Sequence, residues 1–225
     1  MITAIIFDLD GLLADTERLH YRAYQAALNE HGVTVSEAEY AEHWVRFGKG
    51  ISDWVDKHGL ALDPQALRLR KSAFYQELLA SSLLPMDGAL QVLNMLSGRM
   101  KLALASSSYR DAVDGVLAGL GAGKFFDVVV SGVDVPRVKP APDIFLKAAS
   151  DLCVPPAQCL VVEDAEKGVI AAHRAGMRCV AVPNDYTRHH DFSKATRVCY
   201  SLTEITPDAL RALEQTPSPG SKEAS

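Results

Sequence analysis

The residues of this chain best suited to chemistry sit where apolar runs stop. Asp8 and Asp10 end the run 2–7, Ser106-Ser107-Ser108 follow Lys101–Ala105, Glu163-Asp164 follow 159–162, and Lys139 stands in a Lys-Pro-Ala-Pro loop that opens a helix. Four carboxylates gathered at one place repel one another unless a cation is present. An all-oxygen set of this kind suits a hard ion that keeps its waters, Mg²⁺ above all. Ser106 and Ser107 offer hydroxyls and Lys139 a point positive charge, which suit the oxygens of a phosphoryl group. Backbone N–H groups from Leu9 to Gly11, at a strand-to-helix turn, are candidates for an anion nest. Together these groups point to phosphoryl transfer. Asp8 and Asp10 can divide the work: one carboxylate attacks phosphorus, and the other protonates the departing alkoxide and later takes a proton from water.

These residues converge only if the runs are strands of one sheet. The runs 2–7, Lys101–Ala105, Val128–Val130, 159–162 and 179–182 are short and almost wholly apolar, as strands buried on both faces are. Helical patterns with their own stop signals separate them, so the fold class is α/β, a parallel sheet with helices on both faces. In such sheets ligands bind beyond the carboxyl ends of the strands. The stretch 15–81 breaks the rhythm: it is helix-patterned throughout, with one helix expected over 16–31, a capping box at Ser36 and Glu39, and an N-cap at Asp63-Pro64. The expected organisation is a core of 1–14 and 82–215, a helical cap of 15–81 and a disordered tail of 216–225.

Composition bounds the function. The 225 residues are 48% hydrophobic and 23% charged, which supports a packed core, and a net charge of −5 is too acidic for a chain that works by neutralising nucleic-acid phosphates. No apolar run approaches bilayer length and the first residues lack a basic leader, so no membrane partner and a cytoplasmic location are expected. Cys153, Cys159, Cys179 and Cys199 form no CxxC pair and read as buried, reduced thiols.

Phe-Asp-Leu-Asp-Gly-Leu-Leu-Ala-Asp-Thr-Glu at 7–17 resembles the first motif of the haloacid dehalogenase superfamily, with Ser106 matching the second, Lys139 the third and Glu163-Asp164 the fourth. The resemblance implies a Rossmann-like core with a helical cap inserted after the first strand. It also implies Asp8 as nucleophile, Asp10 as general acid/base, Ser106 and Lys139 as phosphate ligands, and Mg²⁺ held by Asp8, the Asp10 carbonyl and Asp164, with Glu163 binding through water. Dehalogenating members lack the second aspartate, so Asp10 argues against dehalogenation.

Within the superfamily the likeness is strongest to sugar-phosphate phosphatases and to β-phosphoglucomutase, which implies a small phosphate ester as substrate. Thr16 and His20 match positions that help place Asp10, with a surface histidine as the plainer reading of His20. Lys49, in a Gly-rich loop between Trp44 and Trp54, is a candidate substrate residue, the alternative being a helix-connecting turn with core tryptophans. Arg68, Arg70 and Lys71 read as a solvated helix face from which Lys71 can reach the substrate. The expected activity is hydrolysis, because Ser108-Tyr109 stands where the mutase pattern has Ser-Lys. A phosphomutase is the nearer alternative and a receiver-type signalling module the remote one.

Overall fold

The computed structural model describes residues 1–216. In chain order the elements are β1 (Ala4–Phe7), α1 (Glu17–Asn29), α2 (Glu37–Tyr40), α3 (Ile51–Lys57), α4 (Pro64–Ser82), α5 (Ala89–Leu96), β2 (Lys101–Ala105), α6 (Arg110–Leu120), β3 (Val128–Val130), α7 (Asp143–Asp151), β4 (Cys159–Glu163), α8 (Glu166–Arg174), β5 (Arg178–Ala181), β6 (Arg197–Val198) and α9 (Pro207–Glu214). Apart from Thr216, the expected tail lies outside the described residues.

The strands form one sheet in the order β3-β2-β1-β4-β5-β6, every pairing parallel. Alternate residues of β1 enter different cores. Ile5 and Phe7 pack with α5, α6 and α9 through Val92, Val116 and Leu210. Ala4 and Ile6 pack with α7 and α8 through Phe145 and Val169. This two-sided burial is why the strands read as continuous apolar runs. Strand β6 escaped the sequence reading because both its residues are exposed at the sheet edge and carry no apolar alternation. Cys153 is exposed, against the expectation of four buried thiols; Cys159, Cys179 and Cys199 are buried.

The register places the chemistry. Phe7 is level with Leu104 on one side and Val162 on the other, so Asp8, Ser106 and Glu163 leave the sheet at the same edge. The strand order reverses between β1 and β4, the point at which ligand crevices open in such sheets.

Between β1 and β2 the chain is helical. Ser36 and Glu39 form the expected capping box, and the Asp63 side chain accepts the Gln65 N–H at 2.9 Å above Pro64 at the first helical position. Helix α2 is a single turn that runs on into a wider π-helical turn, Ala41–Arg46. These helices carry a hydrophobic cluster of their own, built on Leu28, Tyr40, Trp44, Trp54 and Leu67. Among the described residues no helix is long and apolar enough to cross a membrane.

Candidate active site

The candidate carboxylates and Ser106 are delivered by strand ends. The ladder continues one step past β1 and β2 through Asp8 N–H to Val162 O (3.0 Å) and Ser106 N–H to Val130 O (3.0 Å). The chain then turns sharply at Gly11, whose φ of +76° favours glycine and whose Cβ would stand 2.5 Å from Asn184 Nδ2. Gly11 donates its own N–H to Ala14 O at 2.9 Å. That corrects the expectation of a free Gly11 amide for phosphate, because the turn uses it. Leu9 accepts the Leu13 and Ala14 N–H groups with its carbonyl (3.0 and 3.1 Å) and so holds the turn together.

Lys139 is buried, not a solvated loop lysine. Its ammonium donates to the Asp8 carboxylate, to Glu163 Oε1 (2.6 Å) and to Ala105 O (2.8 Å). Glu163 Oε2 accepts the N–H groups of Asp164 and Ala165 (3.0 and 3.2 Å). A Cβ on Gly168 would lie 1.9 Å from the Glu163 carboxyl, so α8 can start here only with glycine at that position. Asp8, Glu163 and Asp164 each present an oxygen within 4.8 Å of the others. Burial pushes the Asp8 carboxyl up to about 8, with the Lys139 charge opposing and Glu163 and Asp10 reinforcing. Burial, with Glu163 and Asp8, also raises Asp164 well above the ordinary carboxylate range. Three carboxylates against one ammonium leave two negative charges, which a single divalent cation balances. The donor set therefore fits the Mg²⁺ that the sequence implied.

Asp10 has a separate environment. Its Oδ1 accepts from Thr16 Oγ1 (2.7 Å) and lies 3.1 Å from His20 Nε2, while its Oδ2 accepts from Ser106 Oγ (3.1 Å) and Ser108 Oγ (2.7 Å). Burial alone would push this carboxyl up. Its contact with His20, with the Ser108 and Thr16 hydroxyls, outweighs burial and holds it well below its ordinary range. Behind it, Lys71 Nζ lies 2.6 Å from His20 Nδ1 and the His20 ring stacks on Tyr75 at 4.1 Å. With Lys71 charged, Nδ1 is the acceptor and Nε2–H is directed at Asp10.

The sequence pattern of the haloacid dehalogenase-like hydrolases matches residues 5–182. The chain belongs to that family. The fructose-1-phosphate phosphatase YqaB of Escherichia coli (strain K12) is 34% identical over 79% of this chain and 95% of its own. The beta-phosphoglucomutase of Bacillus subtilis (strain 168) is also 34% identical, over 80% of this chain and 82% of its own. Among solved structures, CbbY from Rhodobacter sphaeroides in complex with phosphate superposes with a TM-score of 0.83 at 30% identity, covering 91% of this chain and 96% of that one. The likeness seen in the four motifs thus holds, and with it the α/β Rossmann-like fold and the expected enzyme class, phosphoric monoester hydrolase. Family membership sets aside the receiver-type alternative.

In this haloacid dehalogenase-like hydrolase the inserted helices complete a cavity of about 440 Å³ over the strand ends, lined by Asp8, Asp10, His20, Ser106, Ser107, Lys139, Glu163 and Asp164 from the sequence reading, with Lys49 and Lys71 from the insertion. Ser107 Oγ is buried there without a hydrogen-bond partner among the described residues. Burial pushes the Lys71 ammonium down to about 8 against the pull of Asp10. Trp44 belongs to the helical core and also lines the cavity. The solvated helix face needs correction. Only Arg70 behaves so, pairing with Glu30 at the surface, whereas Arg68 and Lys71, three residues apart on one face of α4, turn into the cavity. Arg68 lies 4.5 Å over the Tyr109 ring. His189 and His190 join no group of potential metal ligands among the described residues.

Three contributors escaped the sequence reading. Ser108 was visible as the last of a serine run. Asn184, which donates to Asp164 Oδ2 (2.8 Å) and Gly11 O (2.9 Å), follows β5, where applying the strand-end rule once more would have found it. Arg68 gave no sequence signal, because its side of α4 is set by packing against α1.

Proposed function

We propose that the chain is a Mg²⁺-dependent phosphatase that hydrolyses a small phosphorylated metabolite, a sugar phosphate, through phospho-Asp8. The observation that carries this reading is that two carboxylates two residues apart line one cavity in opposite environments. Asp8 lies with Lys139 and the other metal-type carboxylates, and Asp10 lies among hydroxyl and imidazole donors.

Asp8, Glu163 and Asp164, with the Asp10 carbonyl, would hold Mg²⁺, which would supply neutralising charge for the phosphoryl oxygens and keep Asp8 anionic. Both Glu163 oxygens already have partners, in keeping with binding through water. Asp8 attacks phosphorus as the bond to the leaving oxygen breaks, and Asp10, which takes up a proton from solvent as the substrate binds, gives that oxygen this proton. Ser106 and Lys139, with Ser107, bind the phosphoryl oxygens. When the Ser106 hydroxyl turns to the substrate, Asp10 loses one donor and its proton affinity rises at the moment an acid is required. Asp10 then takes a proton from water, which attacks phospho-Asp8 and releases phosphate. Thr16, His20 and Lys71 hold Asp10 in place. In this reading 1–14 and 82–215 form the catalytic core and 15–81 the cap, with Lys49 at the substrate. The free thiols are in keeping with a reducing, cytoplasmic setting.

A phosphomutase is the second reading, favoured by Arg68. Where the mutase pattern has the lysine that Tyr109 replaces, Arg68 returns a cation from α4, directly above the ring, and supplies positive charge for the second phosphate of a bisphosphate. One assay separates the two. β-Glucose 1-phosphate is supplied with a bisphosphate primer and Mg²⁺, and glucose 6-phosphate and free phosphate are followed together. Phosphate release is expected; rapid isomerisation with negligible phosphate would overturn the phosphatase reading. A panel of phosphorylated metabolites then identifies the substrate.

A further inference from the structure

The loop after β5 sends a side chain back into the site. Asn184 uses every polar atom it has. One Nδ2 hydrogen goes to Asp164 Oδ2 (2.8 Å) and the other to Gly11 O (2.9 Å), while Oδ1 accepts the Tyr186 N–H (2.8 Å). The Tyr186 contact fixes which end of the amide faces the site. Its backbone is locked as well, because Asn184 N–H donates to the buried Thr187 Oγ1 (3.0 Å) and Asn184 O accepts from Thr187 and Arg188. Gly11 leaves the room that the amide needs, since a Cβ there would lie 2.5 Å from Nδ2.

The three clustered carboxylates are supported unequally. Asp8 has the Lys139 ammonium, and Glu163 has that ammonium and two backbone amides. Among the described residues, the side-chain donor recorded for Asp164 is Asn184. A cationic donor such as Lys139 competes with a metal for its carboxylate. A neutral amide orients the carboxylate and leaves its charge for the metal. Holding Oδ2 fixes the orientation of the whole carboxylate. The same amide grips the turn after β1, so one side chain ties the strand ends that carry Asp8 and Asp164.

We propose that Asn184 is a positioning residue that aims Asp164 at the cation and fixes it relative to the turn behind Asp8. This rests on the metal-dependent reading above. The test is calorimetric titration of Mg²⁺ into the full chain without substrate, comparing wild type with Asn184→Ala and with Asn184→Ser, whose hydroxyl keeps a partner for the Tyr186 amide but is too short to reach Asp164. Both variants are expected to bind Mg²⁺ about 10-fold more weakly or worse. At saturating Mg²⁺ the kcat for an aryl phosphate should return towards wild type with KM unchanged. A lowered melting temperature with Mg²⁺ affinity within about twofold of wild type would show a merely structural role and overturn the proposal. Wild-type protein that binds no Mg²⁺ would overturn the metal-dependent reading and this proposal with it.

Discussion

At the residue scale, Asp8 and Asp10 differ through their neighbours, and that difference is measurable. Asp8→Asn removes the proposed nucleophile, so turnover and phosphoenzyme should vanish together. Asp10→Ala should still form some phosphoenzyme from an aryl phosphate, whose leaving group needs little protonation. Equal loss of labelled phosphoenzyme in both variants would contradict the separate roles. A second consequence concerns metal-free protein. Burial raises the Asp8 carboxyl from an ordinary 3.8 to about 8, so the folded state holds this proton more tightly than the unfolded state. Its favourable contribution is complete below the unfolded value and is lost as pH rises through about 8. In chelator, the melting temperature of wild type should therefore fall between about pH 5 and pH 8, and Asp8→Asn should flatten that fall. Parallel curves for the two proteins would show that Asp8 is not the group responsible.

At the element scale, the strand-and-helix alternation was legible because β1, β2 and β4 are almost wholly buried and each runs directly into the polar residues Asp8, Ser106 or Glu163-Asp164. The same rule found Asp8, Ser106 and Glu163, which share an edge by register. What escaped depended on tertiary packing. Strand β6 has two exposed residues and exists through its pairing with β5. The inward turn of Arg68 is settled by the way α4 lies on α1. The use of the Gly11 amide by its own turn is a local hydrogen-bond choice that composition does not reveal. Gly168 is an element-scale feature with a direct test. Its missing Cβ lets α8 begin against the Glu163 carboxyl, so Gly168→Ala must displace either the helix start or Glu163. We expect a lowered melting temperature and at least a 10-fold loss of kcat/KM, because a displaced Glu163 releases Lys139 from Asp8. Near-normal kinetics for Gly168→Ala would show that this packing does not position the site.

At the scale of the whole molecule, the inserted helices and the sheet meet along a polar seam. Lys167 donates to Trp44 O (2.9 Å), Ser72 donates to Asp111, Tyr186 donates to Glu37, and Arg46 stands 3.7 Å from Glu166. The Arg68–Tyr109 contact lines the cavity, as the Lys167–Trp44 and Ser72–Asp111 contacts also do, and it alone of these sets a guanidinium over an aromatic ring. A guanidinium over an aromatic face contributes roughly 0.5 to 2 kcal/mol according to its exposure. On that basis Arg68→Ala should lower kcat/KM for a sugar phosphate by about 2- to 30-fold. Tyr109→Phe keeps the aromatic face and should stay near wild type, whereas Tyr109→Ala should match Arg68→Ala. If the two residues act as one contact, the double alanine variant should lose little more than either single one. Turnover of acetyl phosphate, which is too small to reach α4 from Asp8, should change least. In the proposed mechanism a looser seam would admit water to phospho-Asp8. The share of phosphate released relative to any isomerised sugar should therefore rise in Arg68→Ala. Additive losses in the double variant, with an unchanged product ratio, would show that the contact neither closes the seam nor controls water.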